Sequence, residues 1–106
     1  MAVAAGCATR VPLLYSWGGY EELVYATYAA PGALPPIAQV DALEKDLQVA
    51  RAKNLHMPPG WHAHLGYLYF QLGNIEQARH EFGVEKTEFP ESTIFMDRLI
   101  SKLKTS

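Results

Sequence analysis

A chain of 106 residues has room for one domain with one modest hydrophobic core. Its composition, 49% hydrophobic against 19% charged, excludes a disordered polyelectrolyte. A formal net charge of −2, with no long run of either sign, excludes the basic face that nucleic acid rewards and the polybasic patch that anionic lipid attracts; no apolar run approaches the roughly 20 residues of a spanning helix.

Residues 1–13 read as a tether: small residues, one arginine, one proline and no periodicity. Its one notable position is Cys7, the only cysteine of the chain, which follows Ala4-Ala5-Gly6. Small residues directly before a cysteine resemble the lipobox of bacterial lipoproteins, where a signal peptidase holds an extended backbone and the freed cysteine receives diacylglycerol. The six residues before Cys7 contain neither the charged region nor the apolar stretch of about 7–15 residues that a full leader carries. From these residues alone, an acylated anchor and a free N-terminal thiol both stand.

The domain proper, residues 14–106, opens with an irregular aromatic segment, Leu13 to Gly19. A first helix is predicted over Tyr20 to Ala29, with Glu21 and Glu22 favouring its positive end. Tyr20, Leu23, Val24, Thr27 and Tyr28 share one face. Pro31-Gly32 ends it, and Pro35-Pro36 keeps the link extended. A second, amphipathic helix is expected from Pro36 to Asn54, burying Ile37, Val40, Leu43, Leu47 and Ala50. A rigid connector, Met57-Pro58-Pro59-Gly60, then opens a third helix from Pro59 to Leu72. This helix has no Asp, Glu, Lys or Arg and carries apolar bulk on several sides, so it should be central. A fourth helix, Asn74 to Phe89, should bury Ile75, Ala78, Phe82 and Phe89. A fifth, Pro90 to Lys104, should point Ile94, Phe95, Leu99 and Leu103 inward, with Lys102 and Lys104 at its negative end.

The third and fourth helices together resemble one tetratricopeptide repeat. Leu65-Gly66, Tyr69, Gly73, Ala78, Phe82 and Pro90 follow that repeat's order of large, small, large, turn, small, large, stop. Gly66 lets a neighbouring helix approach, Gly73 ends one helix, Asn74 caps the next, and Pro90 stops it. Two positions depart from the pattern. His62 stands where it prefers Trp, and Glu85 stands where it prefers a small buried residue. The fold class that follows is all-α: an antiparallel array of about five helices, one tetratricopeptide-like hairpin among them, behind a short irregular N-terminal segment.

Nothing in the pattern sets up catalysis or metal binding. His62 and His64 are two apart, hence on different helical faces, and no His-x3-His or Cys-x2-Cys spacing exists. Glu81, Glu85 and Glu88 lie among Arg79 and Lys86 and read as an ion-laced exposed face. Glu85 has a second reading as a buried structural carboxylate accepting from His64 or a tyrosine hydroxyl. No phosphate loop, nucleophile elbow or triad is present, so we expect no enzyme, no cofactor and no metal.

The surplus is aromatic: Tyr15, Trp17, Tyr20, Tyr25 and Tyr28 crowd the N-terminal segment. In repeats of the tetratricopeptide kind the first helix lines a binding surface, and the Leu65-Gly66 alignment puts Ala63, Tyr67, Phe70 and Gln71 there. Tyr67, Phe70 and Gln71, with Tyr25, are therefore candidate partner-binding residues. The competing reading is that the chain's own first helix covers them. Tyr15 and Trp17 are expected to pack on the first and third helices, leaving Tyr25 exposed. A pocket beside His64, Tyr67 and Phe70, taking a small molecule or peptide, is the alternative to a protein-binding surface.

Leu14-Tyr15-x-Trp17-Gly18-x-Tyr20, Leu43-Glu44-x-Asp46, Pro58-Pro59-Gly60-x-His62-Ala63-His64-Leu65-Gly66, Glu85-Lys86, Phe89-Pro90-Glu91-Ser92 and Met96-Asp97 resemble a family of uncharacterised Gram-negative lipoproteins that share a domain of unknown function. The resemblance runs from about residue 7 to 104. It implies acylation at Cys7, with Ala8 following the cysteine as in lipoproteins sorted to the outer membrane, and a location on that membrane's periplasmic side. It also implies partners among envelope lipoproteins, including a neighbour resembling the curli secretion channel and a second small lipoprotein. The expectation is a non-catalytic binding or assembly module, reaching the membrane through its lipid anchor alone.

Overall fold

The computed structural model describes residues 15, 16, 18–20, 23, 24 and 34–103. The tether with Cys7, Trp17, Tyr25, most of the predicted first helix and Lys104 lie outside them. Among the described residues the fold is all-α, as expected: α1 (Pro36–Ala52), α2 (Trp61–Gln71), α3 (Ile75–Glu88), a 3₁₀ turn (Pro90–Ser92) and α4 (Thr93–Leu103). Tyr20, Leu23 and Val24 are helical, and the only strand-like feature among the described residues is an isolated parallel bridge between Tyr15 and His56.

Four of the helix ends have a local cause. Proline occupies the first position of α1, where its missing N–H and fixed φ cost nothing. The helix ends in a Schellman motif: Asn54 takes a left-handed φ of 58°, and Leu55 N–H reaches back to Ala50 O at 2.9 Å. The end of α2 repeats this geometry with Gly73 at φ 80° and Asn74 N–H on Tyr69 O, also 2.9 Å. Asn74 then turns donor and acceptor at once, its side chain accepting from Gln77 N–H to open α3. The turn read from Gly73-Asn74 is therefore present.

Two clusters form the interior, with α2 between them. Leu43, Leu47, Ala50, Met57, Trp61 and Leu65 belong to the first, which Leu23 joins from the N-terminal segment. The second unites Ala78, Phe82, Met96 and Leu103 of α3 and α4, with Ala63 packed against it; Tyr69 touches both clusters. Gly66 sits where α2 meets α3. A Cβ there would lie 2.6 Å from Cε1 of the buried Phe82 ring, so only glycine permits this approach.

Two predicted stripes are shifted. Ile37 is 62% exposed, and Gln39 is buried in its place, its amide donating to Leu34 O at 2.8 Å. On α4, Ile94 and Phe95 face outward and Met96 is buried. The inward face is Met96, Leu99, Ile100 and Leu103, itself a helical i, i+3, i+4, i+7 set, offset by the 3₁₀ turn that precedes it. Tyr15 also departs from expectation. Its ring meets Phe89 with centroids 6.1 Å apart, and Ser16 N–H donates to His56 O at 2.7 Å, so it docks on the α3 end and the connector.

Candidate functional site

The polar interior of the α2–α3 hairpin is built by two carboxylates that the charge pattern had suggested were solvated. Glu85 is 3% exposed. Gly60 N–H donates to its Oε2 at 2.9 Å and Ala63 N–H to its Oε1 at 3.2 Å. A helix N-terminus has four N–H groups without intrahelical partners, and Gly60, held at φ 91°, has no side chain to cap them. Glu85 supplies the cap from α3 and meets the positive end of the α2 dipole. Its role is structural, as one reading had it, but its partners are backbone N–H groups rather than His64 or a tyrosine.

Glu81 is the second. His62 Nδ1 lies 2.7 Å from its Oε1, and both side chains are almost fully enclosed. With the carboxylate ionised, the imidazole N–H donates, which satisfies both groups in a place where neither reaches water. The Trp61 indole stacks edge-on against the same ring at 4.8 Å. The exposed ion-laced face thus reduces to Arg79 with Glu76 (2.9 Å), and Lys86 with Asp97 on α4 (2.6 Å).

A second polar layer joins α1 and α2. Tyr69 Oη donates to Glu44 at 2.5 Å; burial, then this bond, push the phenol up to about 12. His64 Nε2 lies 3.4 Å from Gln39 Oε1, with the Tyr20 ring edge-on at 6.0 Å, and burial lowers its pKa. Burial raises the pKa of Tyr20, as does the nearby charge of Glu85.

The candidate binding residues lie elsewhere. Tyr67 and Phe70 line a cavity of about 210 Å³ between α2 and α4, floored by Phe82 and closed by Leu99, Lys102 and Leu103. Tyr67 is 52% exposed. Gln71 stands exposed on the last turn of α2 and does not line this cavity, Ala63 is drawn into the second cluster, and Tyr25 is outside the described residues. His64 is not in this cavity either; its ring points to Tyr20 and Gln39. The wall opposite Tyr67 is the C-terminal helix α4, whereas the described part of the first helix packs on the far cluster. The sequence reading turned Leu99 and Leu103 of this helix inward, as they are here, and differed in setting Ile94 and Phe95 beside them and Lys102 at the helix end alone. Among the described residues no cluster of His, Cys, Asp or Glu has the arrangement of a metal site, and no helix is long and apolar enough to cross a membrane.

A family model, Domain of unknown function (DUF4810), matches residues 14–99. The chain belongs to this family. The matched stretch holds every element that shapes the hairpin: the Gly60 turn, His62, Gly66, Glu81 and Glu85, as well as Tyr67 and Phe70. No match was found among curated proteins or among solved structures.

Proposed function

We propose that this DUF4810 protein is a non-catalytic binding module whose α2–α3 hairpin is a divergent tetratricopeptide repeat, and that it holds another cell-envelope protein in the groove between α2 and α4. The observation that carries this reading is the groove itself. Tyr67 and Phe70 stand half-open on a helix with no Asp, Glu, Lys or Arg, above a buried Phe82 floor. Aromatic anchors of this kind concentrate the binding energy of protein interfaces. At about 210 Å³ the cavity falls below the roughly 300 Å³ at which small-molecule sites begin, so it suits one large side chain of a partner better than a metabolite. The carboxylates of the hairpin support the same reading. Glu81 and Glu85 are enclosed and occupied by His62 and by backbone N–H groups.

The location follows from resemblance rather than geometry. Acylation of Cys7 would anchor the protein on the periplasmic side of the outer membrane, beside the envelope lipoproteins that the family's gene neighbours encode. Tagged protein expressed at native level from its own locus should recover one of those lipoproteins. Tyr67→Ala should reduce that recovery without lowering the melting temperature. Repeated recovery of this chain alone would overturn the reading. Cys7→Ser should move the protein from the detergent to the aqueous phase on Triton X-114 partition, because two or three acyl chains bury enough CH₂ groups for stable anchoring.

A further inference from the structure

The C-terminal end of α3 carries a cavity of about 240 Å³, lined by Tyr15, His56, Glu88 and Phe89, that shares no residue with the α2–α4 groove. Its walls are aromatic. The Tyr15 and Phe89 rings stand with centroids 6.1 Å apart, tilted by 50°. Its charge is negative. Glu88 is the last residue of α3, so its carboxylate and the negative end of the helix dipole coincide here. The one basic residue of that last turn, Lys86, is turned to Asp97 of α4 at 2.6 Å.

Glu88 is also the exception among the carboxylates of α3. Glu76 has Arg79 at 2.9 Å, Glu81 has His62 at 2.7 Å, and Glu85 accepts from two backbone N–H groups. Glu88 accepts no hydrogen bond among the described residues, although its side chain is only 32% exposed. Its one neighbour of opposite character is His56 Nδ1 at 3.9 Å, beyond hydrogen-bond distance, and an imidazole balances a carboxylate only when protonated. The His56 side chain is 72% exposed and forms the rim of the cavity rather than a plug in it. A carboxylate largely withdrawn from water and left without a donor calls for a partner, and the two rings beside it favour a cation.

We propose that this cavity takes an alkylammonium group, the lysine side chain of a protein partner, with the ammonium on Glu88 and the four-carbon stem along the Tyr15 and Phe89 rings. The site stands apart from the groove and does not depend on it. An anion there would meet both the carboxylate and the negative helix end, and an apolar side chain would cover Glu88 while leaving it unpaired.

The test is an amide chemical-shift titration of the full chain with Nα-acetyl-lysinamide and with its uncharged counterpart, Nα-acetyl-norleucinamide. The lysine compound should shift the Ser16, His56 and Phe89 amides to saturation, bind at least about fivefold tighter than the norleucine compound, and lose that margin in high salt. Glu88→Gln, at a surface position, should bring the two compounds level. Equal binding of both by the unmodified chain would make the cavity merely apolar and overturn the proposal. A lysine response that persists in Glu88→Gln, or that spreads over other carboxylates without saturating, would overturn it as well.

Discussion

Replacing Glu85 separates a structural cap from a surface charge. The carboxylate is 3% exposed and accepts two backbone N–H bonds, at 2.9 and 3.2 Å, from the first turn of α2. Hydrogen bonds to charged groups contribute about 1.5–3 kcal/mol each, and two that share one carboxylate are not fully additive. Glu85→Ala should therefore cost about 3 kcal/mol or more, since it leaves two buried donors without an acceptor. Glu85→Gln keeps one acceptor oxygen but turns an NH₂ toward the other donor and loses the charge at the helix dipole, so about 2 kcal/mol should go. Urea unfolding of a chain this size has a slope on the order of 1–1.5 kcal/mol per molar, so the midpoint should fall by about 2 M for alanine and a little over 1 M for glutamine. The buried Trp61 reports the transition by fluorescence, one residue from the capped turn. Glu88→Ala is the control: its carboxylate lies 3.9 Å from the exposed His56 ring, a contact that contributes less than about 1 kcal/mol. If Glu85→Ala and Glu88→Ala shift the midpoint equally, the cap does not stabilise the fold and the account of this hairpin is wrong.

The His62–Glu81 pair makes a prediction of opposite symmetry. Glu81→Met or His62→Leu alone should each cost about 3–5 kcal/mol by stranding an enclosed polar partner, whereas the double change His62→Leu with Glu81→Met should recover most of that loss; a double variant as unstable as the sum of the singles would show the two side chains to be uncoupled. Tyr69 predicts a pH dependence. Its folded pKa, pushed up to about 12, exceeds the unfolded value near 10, so its contribution is complete below about pH 10 and is lost as pH rises toward about 12. Alkaline titration of phenolate absorbance should show a phenol titrating as late as about pH 12 that Tyr69→Phe removes, with Tyr20 also delayed; six tyrosines ionising together near pH 10 would contradict the burial of these hydroxyls.

The helices and turns were legible because their causes are local. Gly73-Asn74 ends one helix and caps the next with atoms no more than five residues apart, and Pro36 opens α1 by its own ring. Gly66 was legible from the repeat pattern, since the small residue and the large Phe82 that needs it recur at fixed spacing. The failures share a cause as well. Whether Ile37 or Gln39 is buried depends on a carbonyl five residues back and on a histidine 25 residues ahead. The phase of α4 depends on three residues of 3₁₀ turn that hydrophobic spacing does not reveal. Glu81 and Glu85 looked like surface because composition counts charges and cannot see that the partner of one is an imidazole 19 residues away and of the other a bare helix end. The single warning was Glu85 itself, a carboxylate at a position the repeat keeps small.

These hidden bonds also explain why the groove can be open without being loose. Glu81 and Glu85 hold α2 through His62, Gly60 and Ala63, all in its first turn or just before it. Tyr69, near the other end of the helix, is held to α1 through Glu44. Tyr67 and Phe70 therefore project from a helix fixed near both ends by polar contacts to residues that do not line the groove. Two exposed aromatics on a mobile helix would lose much of their binding energy to ordering; on a fixed one that cost is met during folding. The burial pattern then makes sense as one arrangement. Glu81 and Glu85 go inside, where they immobilise α2, and Tyr67, Phe70 and Phe95 stay outside, open to the partner proposed above.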